Sequence, residues 1–278
     1  MNGRGRVVLT GGSTGIGEAT ALHLRELGFS VLAGVRNDED AQRLREQGMT
    51  PLRLDVTNAD HLAAARAEIG DQPLAGLVNN AGITRSGPLE FVPVEDMRAQ
   101  MEVNVIGQLA VTQAFIDALR AGRGRIVNVG SISGLLATPI TGPYAMSKFA
   151  LEGMTDVLRR ELLSQGIDVI MVEPGGVKTP LMSKTSRGFE QVFHDGPPEL
   201  AQRYGPMITT ALEHTTKIDR HTGIEAQVVA KVIGRALTVR RPRTRYLVGR
   251  DAILAAIMAK FIPDRVMDRL LLSLIKSQ

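Results

Sequence analysis

The segment GPYAMSKFA, residues 142–150, places a tyrosine and a lysine four positions apart where a helical pattern begins. Residues at this spacing share one face of a helix, so Tyr144 and Lys148 can face one small volume. A nearby ammonium favours the phenolate and would move the phenol's pKa from about 10 towards neutrality. Such a tyrosine could act as a general acid or base on an alcohol or a ketone. The structural alternative is a half-buried tyrosine followed by a solvated lysine.

Two other polar positions could complete such a site. Ser131 and Ser133 follow an apolar run at residues 124–130, and a hydroxyl there could donate to a substrate oxygen that gains negative charge. Asn104 lies inside a helical run, where asparagine is a poor helix former, and with Gly107 nearby it predicts a local distortion. A loop serine and an asparagine on a polar helix face are the plain alternatives.

These residues belong to a chain in which short apolar runs alternate with amphipathic segments. Apolar runs without alternation are typical of strands buried on both faces, and intervening helices provide the crossovers of a parallel sheet. The predicted strands are residues 6–10, 30–35, 51–54, 75–80, 124–130, 168–174 and 245–249, and the predicted helices are residues 16–27, 39–47, 59–69, 95–120, 144–164 and 224–238. The pattern predicts an α/β fold of the Rossmann type, a doubly wound parallel sheet of about seven strands with helices on both faces.

The first predicted strand ends in the glycine-rich segment TGGSTGIG, residues 10–17. Glycines let the backbone turn sharply and let a diphosphate approach the amides at the start of the next helix, where the helix dipole also favours negative charge. Ligands of such sheets bind at the carboxyl ends of the strands. The segment therefore predicts a dinucleotide site, with a tight turn that binds nothing as the alternative.

Residues at the ends of the second, third and fourth predicted strands are further candidates for contacts with a dinucleotide. The second strand ends at Val35 and Arg36; an arginine there accommodates a 2′-phosphate, whereas an acid would bind the free ribose hydroxyls. This favours NADP(H) over NAD(H), with a solvated arginine as the alternative. Asp55 leaves the third strand as a ligand contact or a helix N-cap, and the asparagines of NNAG, residues 79–82, suit turns.

Taken together, these segments resemble the short-chain dehydrogenase/reductase family from Thr10 to about Thr179. TGGSTGIG is similar to the family's T-G-x-x-x-G-x-G turn, NNAG to its N-N-A-G, YAMSK to its Y-x-x-x-K, and PGGVKT to its P-G segment after the sixth strand. The serine thirteen residues before Tyr144 has the family's usual separation, which selects Ser131 over Ser133. Gly130 departs from the pattern, because many relatives carry a second serine there.

The resemblance implies a metal-free transfer of hydride between a nicotinamide and a carbinol or carbonyl carbon. Tyr144 would be the acid or base, Lys148 would lower its pKa and bond the nicotinamide ribose, and Ser131 would hold the substrate oxygen. Asn104 would support a water-linked proton relay. The implied cofactor contacts are Gly11, Ser13, Thr14, Gly15, Ile16, Gly17, Arg36, Asp55, Val56, Asn79, Ala81, Gly82, Tyr144, Lys148, Pro174, Gly175, Val177 and Thr179.

Residues 1–278 are predicted to form one catalytic domain, because no Pro/Ser-rich or charged linker interrupts them. A segment of about residues 180–222 mixes apolar and charged residues, as a lid over an oily substrate would. Its inner face is expected to include four large apolar side chains, with core packing as the alternative for about half of them: Met182, Phe189, Phe193 and Met207.

The tail, residues 251–278, shows two amphipathic helical patterns broken at Pro263. It is expected to cap the pocket or to pack in an oligomer. Contact with a membrane surface, beside the basic segment at 240–245, is the less favoured alternative. The resemblance implies a homodimer or homotetramer.

The expected substrate class comes from a resemblance to one branch of the family. The pattern VLAGVRN and the C-terminal half resemble the branch that acts on steroid and retinoid alcohols, which implies a hydrophobic secondary alcohol or ketone, or an aldehyde. A reductase of 3-oxoacyl thioesters or small carbonyls is an alternative. A dinucleotide-binding redox sensor without turnover is another; the basic segment supports it, but only Tyr246 is near to stack on a base.

Composition limits the remaining classes. A net charge of +4 is mild and gives no reason to expect a nucleic-acid partner. The chain has no cysteine, which fits a reducing compartment, and its five histidines show no metal spacing. The start of the sequence lacks a signal-peptide pattern, and no stretch reaches about 18 unbroken apolar residues. The expected protein is cytoplasmic and acts on a small molecule.

Overall fold

The computed structural model describes residues 3–276 of the chain. The strands are β1 Arg6–Leu9, β2 Ser30–Val35, β3 Thr50–Arg53, β4 Leu74–Asn79, β5 Arg125–Val129, β6 Asp168–Pro174, β7 Val177–Lys178, β8 Ile224–Glu225 and β9 Arg245–Val248. Seven of them form one sheet in the order β3-β2-β1-β4-β5-β6-β9, and every neighbouring pair is parallel. This confirms the predicted fold class.

Helices connect the strands and cover both faces of the sheet. They are α1 Gly15–Glu26, α2 Asp38–Glu46, α3 Ala59–Ile69, α4 Val94–Met101, α5 Gly107–Gly122, α6 Gly142–Leu162, α7 Pro180–Asp195, α8 Pro198–Lys217, α9 Ala226–Thr238, α10 Arg250–Phe261 and α11 Asp264–Lys276. Successive strand residues point to opposite faces, so Val7 of β1 joins the apolar cluster under α1 and α9. Its neighbour Val8 joins the cluster under α3 and α5.

The sheet changes direction between β1 and β4. From β1 the chain builds outward through β2 to β3, and it then returns to add β4 on the other side of β1. At such a switch point the connections leave towards opposite faces, so a crevice opens at the carboxyl ends of the two strands. The segments after β1 and β4 therefore lie side by side, and they are the glycine-rich turn and NNAG.

The long helix expected at residues 95–120 is interrupted. A π turn, Glu102–Ile106, separates α4 from α5, and Asn104 lies at its centre. This confirms the local distortion predicted from an asparagine and a glycine inside a helical run. Single π turns inside α-helices are rare and are frequent at functional sites.

The C-terminal part adds a separate small core. Helices α7 and α8 enclose a cluster of fully or nearly fully buried side chains, Ile140, Phe189, Leu200 and Ile208. Strands β7 and β8 form a second, two-stranded parallel sheet. The tail forms α10 and α11, and the break between them lies at Pro263, as predicted. None of the helices within residues 3–276 is long and apolar enough to cross a membrane.

Candidate active site

The glycine-rich turn forms a close-packed cradle at the end of β1. Gly11 and Gly15 have φ values of +63° and +57°, a region that favours glycine. At Gly17 a Cβ would lie 1.9 Å from the carbonyl oxygen of Gly11, so only a glycine lets the helix start this close to the turn. The cradle leaves the first amides of α1 facing the crevice, which is the arrangement that binds a diphosphate.

Polar bonds between the two strand exits hold this cradle. The hydroxyl of Thr10 accepts from the backbone amides of Asn80 and Ala81, both at 2.9 Å. The side-chain amide of Asn80 donates to the carbonyls of Thr10 and Gly11, both at 3.1 Å. These contacts exist because β1 and β4 are neighbours, and they fix the shape of the glycine turn.

The side chain of Asn79 does not line the cleft, and a contact between Asn79 and a cofactor stays a prediction. The side chain of Asn79 is fully buried within the sheet, where it donates to Thr112 Oγ1 at 3.0 Å and to Asn128 Oδ1 at 2.9 Å. Because successive strand residues point to opposite sides, Asn80 reaches the crevice instead. The NNAG segment therefore uses its first asparagine for the core and its second for the site.

A cleft of about 1270 Å³, open to solvent, lies over these strand ends. Thirteen of the residues implied by the resemblance line this cleft: Gly11, Ser13, Thr14, Gly15, Ile16, Arg36, Asp55, Val56, Ala81, Gly82, Tyr144, Lys148 and Thr179. Gly17 lies beneath the turn and shapes it, as described above. Pro174, Gly175 and Val177 line a neighbouring cavity instead.

Arg36 and Asp55 mark the edge of the cleft near β2 and β3. Arg36 is exposed and makes no hydrogen bond or ion pair within residues 3–276, whereas Val35 is buried in the core. Asp55 accepts from the amide and hydroxyl of Thr57 at 3.0 and 2.8 Å. Burial alone would raise the pKa of Asp55, but these bonds and the charge of Arg36 lower it.

The N-cap alternative for Asp55 is wrong. Helix α3 is capped by Asn58, whose side chain accepts from the amide of His61 at 3.0 Å. Asp55 is thus free of the helix end and stands at the cleft wall as an ionised acceptor. A carboxylate in this place suits a donor such as the amino group of an adenine.

Tyr144 and Ser131 meet where the cleft joins the neighbouring cavity. Tyr144 lies in the first turn of α6, and Ser131 follows β5 at the start of a short 3₁₀ turn. Both side chains line that neighbouring cavity, and the Ser131 hydroxyl acts to lower the pKa of the phenol. Ser131 Oγ also accepts from the amide of Ser133 at 3.1 Å, so Ser133 orients the hydroxyl through its backbone.

The ionisation of Tyr144 differs from the expectation. Burial raises the pKa of the Tyr144 phenol, and the Ser131 hydroxyl only partly opposes this effect. The phenol is therefore protonated at neutral pH and is poised as a proton donor. The Nζ atom of Lys148 lies 5.6 Å from the centre of the tyrosine ring.

Lys148 is buried between α6 and β5. Its Nζ donates to the carbonyl of Val129, the last residue of β5, at 2.8 Å. Burial lowers the pKa of Lys148 to about 8, although the carboxylate of Glu152 opposes that shift. A large fraction of the ammonium is therefore still charged at neutral pH, in surroundings where a charge acts strongly.

Asn104 lies behind the cleft wall. It is fully buried, and its side chain accepts from the amide of Ile83 at 2.9 Å and donates to Ser147 Oγ at 3.1 Å. Gln100 also holds the loop after β4, because its side chain accepts from the amide of Arg85 and donates to the carbonyl of Ile83. The side chain of Asn104 thus positions the loop after β4, and its role in a proton relay stays a prediction.

The second cavity, which we call the apolar chamber, opens on the other side of Tyr144. It has an empty volume of about 1080 Å³ and lies between the loop after β5, the β6 exit and helices α7, α8 and α10. Apolar atoms make up most of its exposed surface, and Ile132, Leu136 and Ile218 are among the apolar residues that line it. His214 of α8 and several hydroxyls provide its polar groups, and no Lys, Arg, Asp or Glu side chain described for this chain lines it.

The four apolar residues expected on the inner face of the lid segment have three different positions. Met182 lines the chamber, as expected. Phe189 is fully buried in the small core between α7 and α8, and Met207 packs against that core, so both follow the alternative of core packing. Phe193 is 46% exposed, and its assignment to the inner face is wrong.

Two site residues have no motif in the sequence. Lys184 of α7 lines the cleft from the lid side. Asp251 of α10 accepts from the amide of Gly176 at 2.6 Å and holds the loop after β6 beside the chamber. Lys184 and Asp251 are far along the chain from the residues that they lie beside in the fold. A prediction of how α7 and α10 pack would have been needed to find them.

Comparison with known proteins agrees with this geometry. The model of the short chain dehydrogenase family matches residues 6–189 of the chain. An NADPH-dependent 3-dehydrocapnine reductase of Ornithobacterium rhinotracheale is 32% identical over 95% of this chain and 94% of that protein. The 17-beta-hydroxysteroid dehydrogenase type 6 of Bos taurus is 36% identical over 95% of this chain and 87% of that protein.

Solved structures show the same fold. A short chain dehydrogenase from Burkholderia cenocepacia J2315 in complex with NADP covers 97% of this chain and 98% of its own, with a TM-score of 0.75 and 28% identity. One from Burkholderia phymatum in complex with NAD covers 91% of both chains, with a TM-score of 0.74 and 26% identity. The chain belongs to the short-chain dehydrogenase family. It is an oxidoreductase that acts on CH–OH donors with NAD(P)⁺ as the acceptor.

Proposed function

We propose that this enzyme transfers a hydride between NADP(H) and an uncharged, hydrophobic secondary alcohol or ketone, or an aldehyde. One observation carries the proposal: Tyr144 lies on the wall that the dinucleotide cleft and the apolar chamber share. A dinucleotide in the cleft and a carbonyl compound in the chamber would meet at this residue. The cradle at Gly17, which a single Cβ would fill, fits the diphosphate of such a cofactor.

The chemistry follows from the placement of three side chains. When bound, the nicotinamide accepts or supplies the hydride. Ser131 orients the substrate oxygen by donating to it, and Tyr144 Oη gives that oxygen its proton during reduction or takes it during oxidation. The charge of Lys148 stabilises the phenolate that remains after the proton has left.

The choice of NADP(H) rests on Arg36. Its exposed guanidinium lies at the cleft edge beyond β2, and no acidic residue stands at the end of that strand. A guanidinium without an ion-pair partner can bind a 2′-phosphate with two parallel hydrogen bonds. The relative from Ornithobacterium rhinotracheale is described as NADPH-dependent, and solved relatives hold NADP in one case and NAD in another.

Replacing Arg36 tests this choice. Arg36→Ser is expected to raise the Kd for NADPH by about 10-fold or more, since a charged hydrogen bond contributes about 1.5–3 kcal/mol, and to leave the Kd for NADH nearly unchanged. Cofactor fluorescence titrations measure both constants. Arg53→Ser is the matched control, because Arg53 is also exposed but pairs with Asp38 outside the cleft at 3.0 Å. Equal losses for both cofactors would contradict the assignment.

The substrate class rests on the walls of the chamber. Because no Lys or Arg among the described side chains lines it, the chamber offers no partner for the phosphates of a thioester carrier. The lid segment also covers one side of it through Leu181 and Met182. These features favour steroid-like or retinoid-like compounds over a 3-oxoacyl thioester, and the presence of Ser131 and Tyr144 together in the chamber wall favours an enzyme over a redox sensor.

A substrate panel tests the proposal. NADPH and NADH oxidation is measured with steroid ketones, retinal, small aliphatic and aromatic carbonyls, and a 3-oxoacyl thioester. The expected result is turnover of a bulky apolar carbonyl with NADPH preferred. Fast turnover of the thioester alone would overturn the substrate class. Tight NADPH binding with no turnover across the panel would favour the sensor.

Helix α6 also supports a homo-oligomer. Met146, Phe149 and Val157 form an exposed apolar stripe on its outer side. We infer that a second copy covers this stripe in a homodimer or homotetramer, and light scattering after size exclusion would measure it. The single catalytic domain, the lid function of residues 180–222 and the cytoplasmic location stay predictions.

A further inference from the structure

A buried cluster of charged residues lies behind Lys148, on the side away from the cleft. Glu152 follows Lys148 by one turn of α6, so both side chains lie on the same helix face. Arg245 of β9 forms ion pairs with Glu152, with Glu173 of β6 at 3.2 Å and with Asp156 at 3.0 Å. The side chain of Glu152 is only 11% exposed and that of Glu173 only 2%.

This cluster has an unusual feature at Glu152. Its Oε1 atom is buried and has no hydrogen-bond donor among residues 3–276 when both glutamates are ionised. A buried acceptor without a donor is costly, and a proton on the neighbouring Glu173 would supply one. Burial and the adjacent Glu152 carboxylate raise the pKa of Glu173 to about 7, which agrees with a proton held there.

Opposing effects act on the charge of Glu152. Burial raises the pKa of Glu152, whereas Arg245 favours the ionised form and a protonated Glu173 would donate to it. The charged or titratable groups around Lys148 and Glu152 come from α6, β6 and β9, and they are Tyr144, Asp156, Glu173 and Arg245. Asp156 also pairs with Arg159 and Arg160, so Glu152 is the carboxylate that acts on both Lys148 and Arg245.

We infer that Glu152 is a positioning residue: its carboxylate, kept ionised by Arg245, holds the buried Lys148 in its charged form beside Tyr144. The inference rests on the proposed function, in which the charge of Lys148 supports the phenolate and the cofactor ribose. It links catalysis to β9, the edge strand of the sheet, through a single arginine. No motif in the sequence marks this link.

The test measures NADPH affinity and kcat/KM against pH. In the wild type both should fall as Lys148 loses its proton near its pKa of about 8. Glu152→Gln removes a negative charge that favours the ammonium form of Lys148. The alkaline limb, which is the fall of NADPH affinity and kcat/KM at high pH, should therefore move to lower pH by about one unit. Glu152→Asp keeps a carboxylate and should return the limb towards its wild-type position.

Glu173→Gln is the matched control. It is isosteric and lies in the same cluster, but it leaves the charge of Glu152 in place, and Glu152 rather than Glu173 is the carboxylate that acts on the pKa of Lys148, so the limb should move less than in Glu152→Gln. An unmoved limb in Glu152→Gln, or equal shifts in both variants, would overturn the inference and leave the proposed function intact. A wild type that binds neither dinucleotide would remove the proposed function and this inference together.

Arg245→Gln provides a second route if Glu152→Gln does not fold. Without Arg245, Glu152 becomes easier to protonate, and the alkaline limb should again move to lower pH. Thermal unfolding of each variant shows whether it is folded before its pH profile is compared. A folded Arg245→Gln enzyme with a wild-type limb would contradict the inference.

Discussion

Tyr144→Phe is expected to lower kcat/KM by at least about 10³-fold, because a positioned acid or base contributes about 10²–10⁴-fold and the substitution removes the only phenol that the described residues place in the shared wall. The Kd for NADPH should change by less than about twofold, since a phenylalanine keeps the ring that lies beside Lys148. Steady-state kinetics and cofactor fluorescence titration measure the two quantities separately.

The control for this prediction is Tyr204→Phe. Tyr204 also carries a bonded hydroxyl, which donates to Glu90 at 2.7 Å, but it lies on α8 outside the cleft and the chamber. The control should retain nearly full activity. If Tyr144→Phe kept more than about a tenth of the wild-type kcat/KM, the proton would have to come from another group.

Reduction by Tyr144 also has an expected pH dependence. Burial raises the pKa of the phenol, so the proton donor for ketone reduction is present through neutral pH and is lost only on the alkaline side. The reduction rate should therefore be flat on the acid side of neutrality and fall at alkaline pH, first through Lys148 near pH 8. A rate that rises steadily with pH would contradict this order.

Gly17→Ala is expected to damage both stability and cofactor binding. A Cβ at this position would lie 1.9 Å from the carbonyl oxygen of Gly11, so the glycine turn or the start of α1 must shift. Overpacking of this kind costs about 1–3 kcal/mol, and displacement of the amides that face the cleft should raise the Kd for NADPH at least about tenfold. Chemical denaturation and cofactor titration measure the two effects.

Gly153→Ala is the matched control, since it is also a helical glycine. Gly153 is exposed on α6, and a Cβ there would meet nothing within 4 Å. Gly153 lies between Phe149 and Val157 on the face proposed to meet a second copy, so this variant is a control for cofactor binding alone, and its Kd for NADPH should be unchanged. Wild-type NADPH affinity in Gly17→Ala would show that the turn does not need its close contact with Gly11.

The sheet and its main helices could be predicted from the sequence to within about two residues at most ends. Strands such as β2 and β6 are buried on both faces, so they appear as unbroken apolar runs, and the helices between them carry a 3.6-residue pattern. Asn104 predicted the distortion of the long helix because its side chain competes with backbone hydrogen bonds. These features depend on local chemistry, which a sequence displays directly.

The same holds for the residues that surround the reaction. Tyr144 and Lys148 are joined by one helical turn, and the glycines of residues 10–17 form a single turn between a strand and a helix. Ser131 required the separation known from the family, because serine is common in loops. Ser131 and Tyr144 come from two different elements, and the folded chain places both in the wall of the chamber.

Tertiary structure alone decided which of several equivalent residues face the site. Asn79 and Asn80 are the same residue type in adjacent positions, and only the direction of β4 relative to β1 turns one into the core and the other into the cleft. Phe193 and Phe189 lie four positions apart on α7, yet only the packing of α8 buries one of them. The contact of Arg245 with Glu152 spans 93 positions of the chain. Such choices depend on which elements become neighbours in the folded chain, and no local pattern of residues specifies that.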